Sequence, residues 1–70
     1  MTLEIISDSE CKFFEVSTKN EKFSGYPGAF HNRFGGWTVP IRKNHWYEDL
    51  ESIASWVNNE LKEECMFTIG

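Results

Sequence analysis

The feature that most constrains the fold is the apolar spacing between Asn44 and Glu64. At about 100° per residue, one set of apolar side chains falls within an arc of about 120°, which is typical of a helix packed on a sheet. The set is Trp46, Tyr47, Leu50, Ile53, Ala54, Val57 and Leu61. We therefore predict one amphipathic helix over Asn44–Glu64. Asn44 is its expected N-cap, and Glu48 and Asp49 lie near the positive end of its dipole.

Other stretches have the β-branched and aromatic content of strands and are bounded by polar or turn-forming residues. They are Thr2–Ser7, Cys11–Thr18, Trp37–Arg42 and Met66–Ile69. The charged turn Lys19–Lys22 adds a short hairpin strand around Phe23. This order predicts a single α+β domain over residues 1–70, with a small, mostly antiparallel sheet of three to five strands and one amphipathic helix packed across one face.

Alternation along the strands predicts which side chains face the helix. The inward residues are Phe14, Val16, Trp37, Val39, Ile41, Phe67 and Ile69. Pro40 has no N–H to donate to a neighbouring strand. We therefore expect its strand at a sheet edge, or the Pro40 nitrogen pointing toward solvent.

Length and charge limit the possible functions. Seventy residues with a net charge of −4 form one small domain, and the acidic balance disfavours non-specific binding to a nucleic-acid backbone. The start of the chain lacks the pattern of a signal peptide, and no apolar run is long enough to span a membrane. These features predict a cytoplasmic protein without a membrane partner, present as a monomer or weak homodimer.

The chain has eleven aromatic residues (six Phe, three Trp and two Tyr), more than a small core can bury. Three of them, Tyr26, Phe30 and Phe34, lie in the Gly-rich segment Ser24–Gly36, together with His31 and Arg33. Three interpretations stay open for this loop. Its rings fold back onto the core, bind a protein, or stack on single-stranded nucleic acid with Arg33, Arg42 and Lys43.

A second candidate surface lies on the flank of the predicted helix. Asp49, Trp56, Glu60 and Glu63 fall within an arc of about 60°, just outside the apolar stripe. A tryptophan framed by carboxylates suits contact with a basic protein surface. The alternative is a solvated acidic face on which Trp56 folds over the sheet edge.

Residues capable of chemistry are few. Cys11, His31, His45 and Cys65 lack the close ligand pairs of zinc sites, and no nucleophile–base or paired-carboxylate motif stands out. A Cys11–Cys65 disulfide would require that the two cysteines lie on neighbouring strands. The reducing interior of a cell disfavours such a disulfide in an intracellular protein. We therefore predict no metal, no cofactor and no enzymatic activity.

In its size and acidity the chain resembles small bacteriophage-encoded inhibitors of host machinery, including anti-CRISPR proteins and inhibitors of host RNA polymerase. Lys12-Phe13-Phe14, Val39-Pro40-Ile41, the acidic helix with Trp56 and the short last strand are similar to the RNA polymerase inhibitors of T-odd podophages. The Ser24–Gly36 loop is additional here, and the last strand lacks their arginines, so no binding residue is transferred.

This resemblance implies an interaction protein that binds and occludes a surface of a larger host protein. The partner-binding residues that we predict from the residue pattern are Asp49, Trp56, Glu60, Glu63, Tyr26, Phe30 and Phe34. The alternative function is a small nucleic-acid-binding module that uses the loop aromatics with Arg33, Arg42 and Lys43.

Overall fold

A computed structural model of the protein describes residues 1–7 and 14–69. Its strands are β1 (Thr2–Ser7), β2 (Phe14–Thr18), β3 (Phe30–His31), β4 (Trp37–Ile41) and β5 (Met66–Ile69). Its α-helix, α1, spans Trp46–Trp56. A 3₁₀ turn at Lys43–His45 precedes α1, and a π-helical turn at Val57–Leu61 follows it without a break. A further 3₁₀ turn covers Glu21–Gly25.

The five strands form one sheet in the order β3-β4-β2-β1-β5. All neighbours pair antiparallel except β1 and β5, which are parallel because the helical segment connects β4 to β5 across the sheet. The predicted α+β class is confirmed, with one helical segment packed against a five-stranded sheet. The predicted bounds of β1 and β5 also match the structure.

The core lies between the sheet and α1. Its buried apolar residues come from three strands, the helical segment and the Glu21–Gly25 turn; they are Leu3, Val16, Val39, Ile41, Leu50, Ile53, Val57 and Phe23. Register places Val16 beside both Ile5 and Val39, so the apolar residues of neighbouring strands share one face. The predicted inward positions of Val16, Val39 and Ile41 are therefore correct.

The segment around Phe23 differs from prediction. It is a 3₁₀ turn and not a strand, because Asn20 caps it by accepting a hydrogen bond from the Lys22 N–H at 3.0 Å. The turn directs Phe23 into the core, where its side chain is fully buried. The charged turn Lys19–Lys22 predicts a hairpin to a short strand, but a capped 3₁₀ turn buries Phe23 equally well.

The helix is also shorter than predicted. Asn44 lies inside the preceding 3₁₀ turn and does not cap α1, whose N-cap residue is His45. At the other end, Lys62 adopts a left-handed conformation with φ of 57°, which stops the helical segment at Leu61. Trp46 and Tyr47, expected in the buried stripe, are 47% and 56% exposed because they begin α1 before it reaches the core.

Several strand predictions have a mixed outcome. β3 pairs with only Trp37 and Thr38 of β4, so Pro40 lies beyond that pairing and is exposed, as expected for a residue without an N–H. Phe67 packs on the core, whereas Ile69 is 88% exposed although it occupies the same face. The predictions for Cys11–Phe13 and for the Phe14 side chain lie outside the described residues.

Candidate protein-binding surface

The exposed side of the helical segment carries a shallow groove that is open to solvent. Three carboxylates line it, those of Glu48, Glu51 and Glu60, and the side chain of Trp56 contributes its apolar part. No lining residue from the described part of the chain is basic. We call this surface the acidic groove.

The polar side chains of the acidic groove follow from helical spacing. Ser52, Ser55 and Asn59 lie on the same side of the helix as the three glutamates, at intervals of three and four residues. The Asn59 side-chain amide donates to the Ser55 hydroxyl at 3.3 Å, which holds one wall of the groove. The groove is therefore a regular surface of the helical segment and not a gap between loops.

Trp56 has a structural contact as well as a place in the groove. Its ring lies 5.2 Å from those of both Phe23 and Tyr26, centroid to centroid, and it meets Tyr26 edge to face at 87°. These three rings form an aromatic cluster in which Phe23 is buried and the other two are half-buried. Burial, together with the nearby Asp49 carboxylate, raises the pKa of Tyr26 above its ordinary value.

Asp49 faces away from the acidic groove and binds Arg42. The Arg42 guanidinium donates to its carboxylate from Nη2 at 2.8 Å and from Nε at 3.1 and 3.2 Å, and the Arg42 backbone N–H donates at 2.9 Å. These bonds hold the pKa of Asp49 below its ordinary value. Asp49 thereby links the end of β4 to the first turn of α1. This link stabilises the start of the helix, where the sequence predicts Asn44 as the cap.

The same contact occupies Arg42, one of the cations of the nucleic-acid-binding alternative. Arg42 also lies 3.9 Å from the Glu48 carboxylate, and His45 Nδ1 lies 3.6 Å from it. Arg42 is therefore surrounded by acidic groups, while Lys43 is exposed in the adjoining 3₁₀ turn. The charge of Arg42 is largely balanced within the chain itself.

A second exposed surface comes from the loop that contains β3, and Asn32 shapes it. The Asn32 side-chain oxygen accepts from the N–H groups of Phe34 and Gly36 at 2.9 and 3.0 Å, and its amide donates to the Thr38 hydroxyl at 3.0 Å. Gly35 supplies the positive φ of 82° that this tight turn requires.

This turn leaves Phe30 and Phe34 51% and 75% exposed. The Arg33 guanidinium lies over the Phe34 ring, 5.4 Å from its centroid. Together these residues border a groove of about 490 Å³ on the helix-free face of the sheet. We call residues 30–34 the aromatic turn.

The seven predicted partner-binding residues are thus divided among different environments. Trp56 and Glu60 line the acidic groove, and Tyr26 touches Trp56 from the cluster beneath. Asp49 is bound to Arg42, and Glu63 follows the end of the helical segment. The other two belong to the aromatic turn.

Sequence reasoning missed Glu48 and Glu51 as groove residues. The signal was present, because both lie one helical turn from Ser52 or Ser55 and away from the apolar stripe. Helical spacing centres the predicted acidic face on Asp49, but the Arg42 side chain binds that carboxylate. The pairing joins residues seven apart in sequence across a strand end and a helix start.

Within residues 1–7 and 14–69, no group of three or more His, Cys, Asp or Glu side chains is placed to hold a metal ion. His31 packs against the Trp37 ring at 5.1 Å, and burial raises the pKa of the Cys65 thiol. The predicted alternatives that involve Cys11 lie outside the described residues. In the described part of the chain, no helix is long and apolar enough to cross a membrane.

Neither a protein-family model, nor a curated protein, nor a solved structure matches the chain.

Proposed function

We propose that the chain is a non-enzymatic interaction protein that binds and occludes a basic surface of a larger protein. The observation that carries this proposal is the acidic groove, which is lined by Glu48, Glu51, Glu60 and Trp56 and has no basic residue among the described lining. Arg42 and His45 approach only its Glu48 end, at 3.9 and 3.6 Å. Tryptophan is one of the residues that contribute most of the binding energy at protein interfaces. The charge of the acidic groove complements a partner rich in Lys and Arg.

A basic groove that binds phosphates is the partner surface that fits best. Proteins that handle nucleic acids concentrate Lys and Arg where the phosphate backbone passes, and an acidic helix competes for those positions. The suggested host target is therefore a nucleic-acid-handling complex, with anti-CRISPR activity or inhibition of RNA polymerase as the two phage settings. The same proposal places the protein in the cytoplasm, which for a phage-encoded chain is the host cytoplasm. It requires no cofactor.

The test is affinity capture from bacterial lysate with tagged protein, with and without nuclease treatment. We expect one partner protein at stoichiometric amounts that survives nuclease. The variant Glu51→Lys/Glu60→Lys should bind that partner at least about tenfold more weakly, because reversed charges face the same basic surface. Isothermal titration of the identified partner measures this change.

A matched control separates the groove from net charge. Glu4→Lys/Glu21→Lys changes the formal charge by the same amount at two exposed positions that do not line the acidic groove. We expect it to bind nearly as the native protein does, with a small loss from weaker long-range attraction. Equal loss in both double variants would show that charge alone, and not the acidic groove, determines binding.

A second candidate function is a nucleic-acid-binding module, and the aromatic turn favours it. Phe30 and Phe34 are exposed beside Arg33, a combination that stacks on unpaired bases. Arg42 is bound by Asp49, which leaves Lys43 as the other cation of that alternative. Titration of a labelled oligonucleotide at low salt tests it, and recovery of a partner that vanishes with nuclease would favour it over the acidic groove.

A further inference from the structure

The outer edge of β5 is a surface to which the proposed function gives no role. In the described part of the chain β5 pairs with β1 on one side, and no strand lies on the other. Met66–Ile69 contains no charged residue and no proline, the two features that commonly protect an edge strand. Its end residue Ile69 is 88% exposed.

One hydrogen bond determines which backbone groups of β5 are free. The Met66 N–H donates to the Met1 carbonyl, on the β1 side, at 2.8 Å. Backbone groups of successive strand residues point to opposite sides, so Thr68 also faces β1. Phe67 and Ile69 consequently direct their N–H and C=O groups outward. They form the spaced set of donors and acceptors that a second antiparallel strand requires.

We propose that β5 pairs with β5 of a second copy of this chain, antiparallel and centred on Thr68. In this register Phe67 of each copy lies opposite Ile69 of the other. Every outward N–H of these residues then meets an outward C=O of the identical segment. An uncharged strand brings no like charges together, so the edge complements itself.

The same register explains the exposed side chain of Ile69. Its pairing with Ile5 in the parallel ladder places it on the helix side of the sheet, yet it extends past the core that covers Phe67. Across the dimer, Ile69 packs against Phe67 of the second copy. Because the opposed residues share a face, both helices lie on one side of the joined sheet.

The other edge of the sheet explains why pairing stops at two copies. β3 has only two residues, and the part of β4 beyond it contains Pro40, which has no N–H. One edge is therefore competent for strand pairing. A two-fold contact through that edge closes on itself and gives a dimer and not a fibre.

Sedimentation equilibrium of the native chain tests the proposal. We expect a reversible monomer–dimer equilibrium with a Kd between about 10 μM and 1 mM, since so short an interface is small. Ile69→Pro removes the outward N–H in each copy without affecting any bond to β1. It should raise Kd by roughly tenfold or more. Far-UV circular dichroism checks that this variant folds.

Two lysine substitutions, one on the β5 edge and one remote from it, provide a matched comparison. Ile69→Lys should raise Kd by a similar factor, because it places a charge on the paired edge. Phe34→Lys makes the same kind of change at another exposed apolar residue, 75% exposed and remote from β5 in the strand order, and should leave Kd unchanged.

Amide exchange of the native chain gives an independent measurement that needs no variant. The Thr68 amide should be protected at all concentrations, whereas the Phe67 and Ile69 amides should gain protection as concentration rises. Three outcomes each overturn the proposal: a native chain that is monomeric at about 1 mM, unchanged dimerisation of Ile69→Pro, or no gain of protection at Phe67 and Ile69.

Discussion

Replacing Trp56 with alanine distinguishes the structural from the binding role of this side chain. The Trp56 ring has two roles, since it lines the acidic groove and also packs against Phe23 in the aromatic cluster. From the sequence alone, an exposed Trp56 would be removable without loss of folding. The contacts in the structure predict instead that Trp56→Ala is strongly destabilising.

The magnitude follows from the contacts. Two aromatic ring pairs contribute about 0.5–1.5 kcal/mol each, beyond the area that they bury. Burial of much of the indole adds about 1.5 kcal/mol or more. We therefore expect Trp56→Ala to lower the free energy of unfolding by about 3 kcal/mol, out of roughly 4–10 kcal/mol for a domain of this size. Trp56→Phe keeps a ring against Phe23 and Tyr26 and should cost about 1 kcal/mol.

Urea unfolding followed by far-UV circular dichroism measures these differences. With a slope of about 1 kcal/mol/M for a small domain, Trp56→Ala should shift the midpoint down by about 3 M. Trp46→Ala is the matched control, since it removes the same side chain from the same helix at a residue that is 47% exposed. We expect it to cost less than about 1 kcal/mol. If Trp56→Ala costs no more than Trp46→Ala, the aromatic cluster does not support the fold and the reasoning from ring contacts is refuted.

Two further predictions concern the contact between Arg42 and Asp49 and the close backbone approach at Gly36. The lowered pKa of Asp49 means that its stabilising effect is complete above the unfolded pKa of about 3.9 and is lost as pH falls through the folded value. Acid titration of stability should therefore show a steeper decline in the native chain than in Asp49→Asn. A Cβ at Gly36 would lie 2.6 Å from the Thr18 carbonyl oxygen, so Gly36→Ala should cost about 2 kcal/mol in a thermal melt. Gly25→Ala, with nothing nearer than 3.9 Å, is its control and should be close to neutral.

Periodicity predicted the fold well because burial imposes it directly. A strand or helix that packs on a core must repeat its apolar residues at its own period, and this period predicted β4, whereas β-branched and aromatic content predicted β1 and β5. The helical segment was likewise found from its period, although its ends were not. Its end at Lys62 depends on a left-handed residue, for which lysine gives no signal comparable to glycine.

The candidate site was harder to predict because it depends on which charges meet. Asp49 and Glu48 are neighbours in sequence and both acidic, yet Arg42 binds Asp49 closely at 2.8 Å and lies 3.9 Å from Glu48, which also lines the acidic groove. The difference arises because Arg42 follows β4 and its backbone N–H and guanidinium both reach Asp49, a contact that the tertiary fold determines. Helical spacing alone assigned Asp49 to the exposed flank.

The aromatic residues show the same limit on a smaller scale. Tyr26, Phe30 and Phe34 recur every four residues, which suggests equivalent positions, but the chain between them is not helical. Tyr26 follows the 3₁₀ turn that buries Phe23, so its ring packs inward against Trp56. Phe34 sits in a turn closed by the Asn32 side chain, so its ring points outward. The Asn32 side chain, which accepts two backbone N–H groups, thus closes the turn that directs Phe34 outward, and a search for exposed aromatic surfaces should begin with turns of this kind.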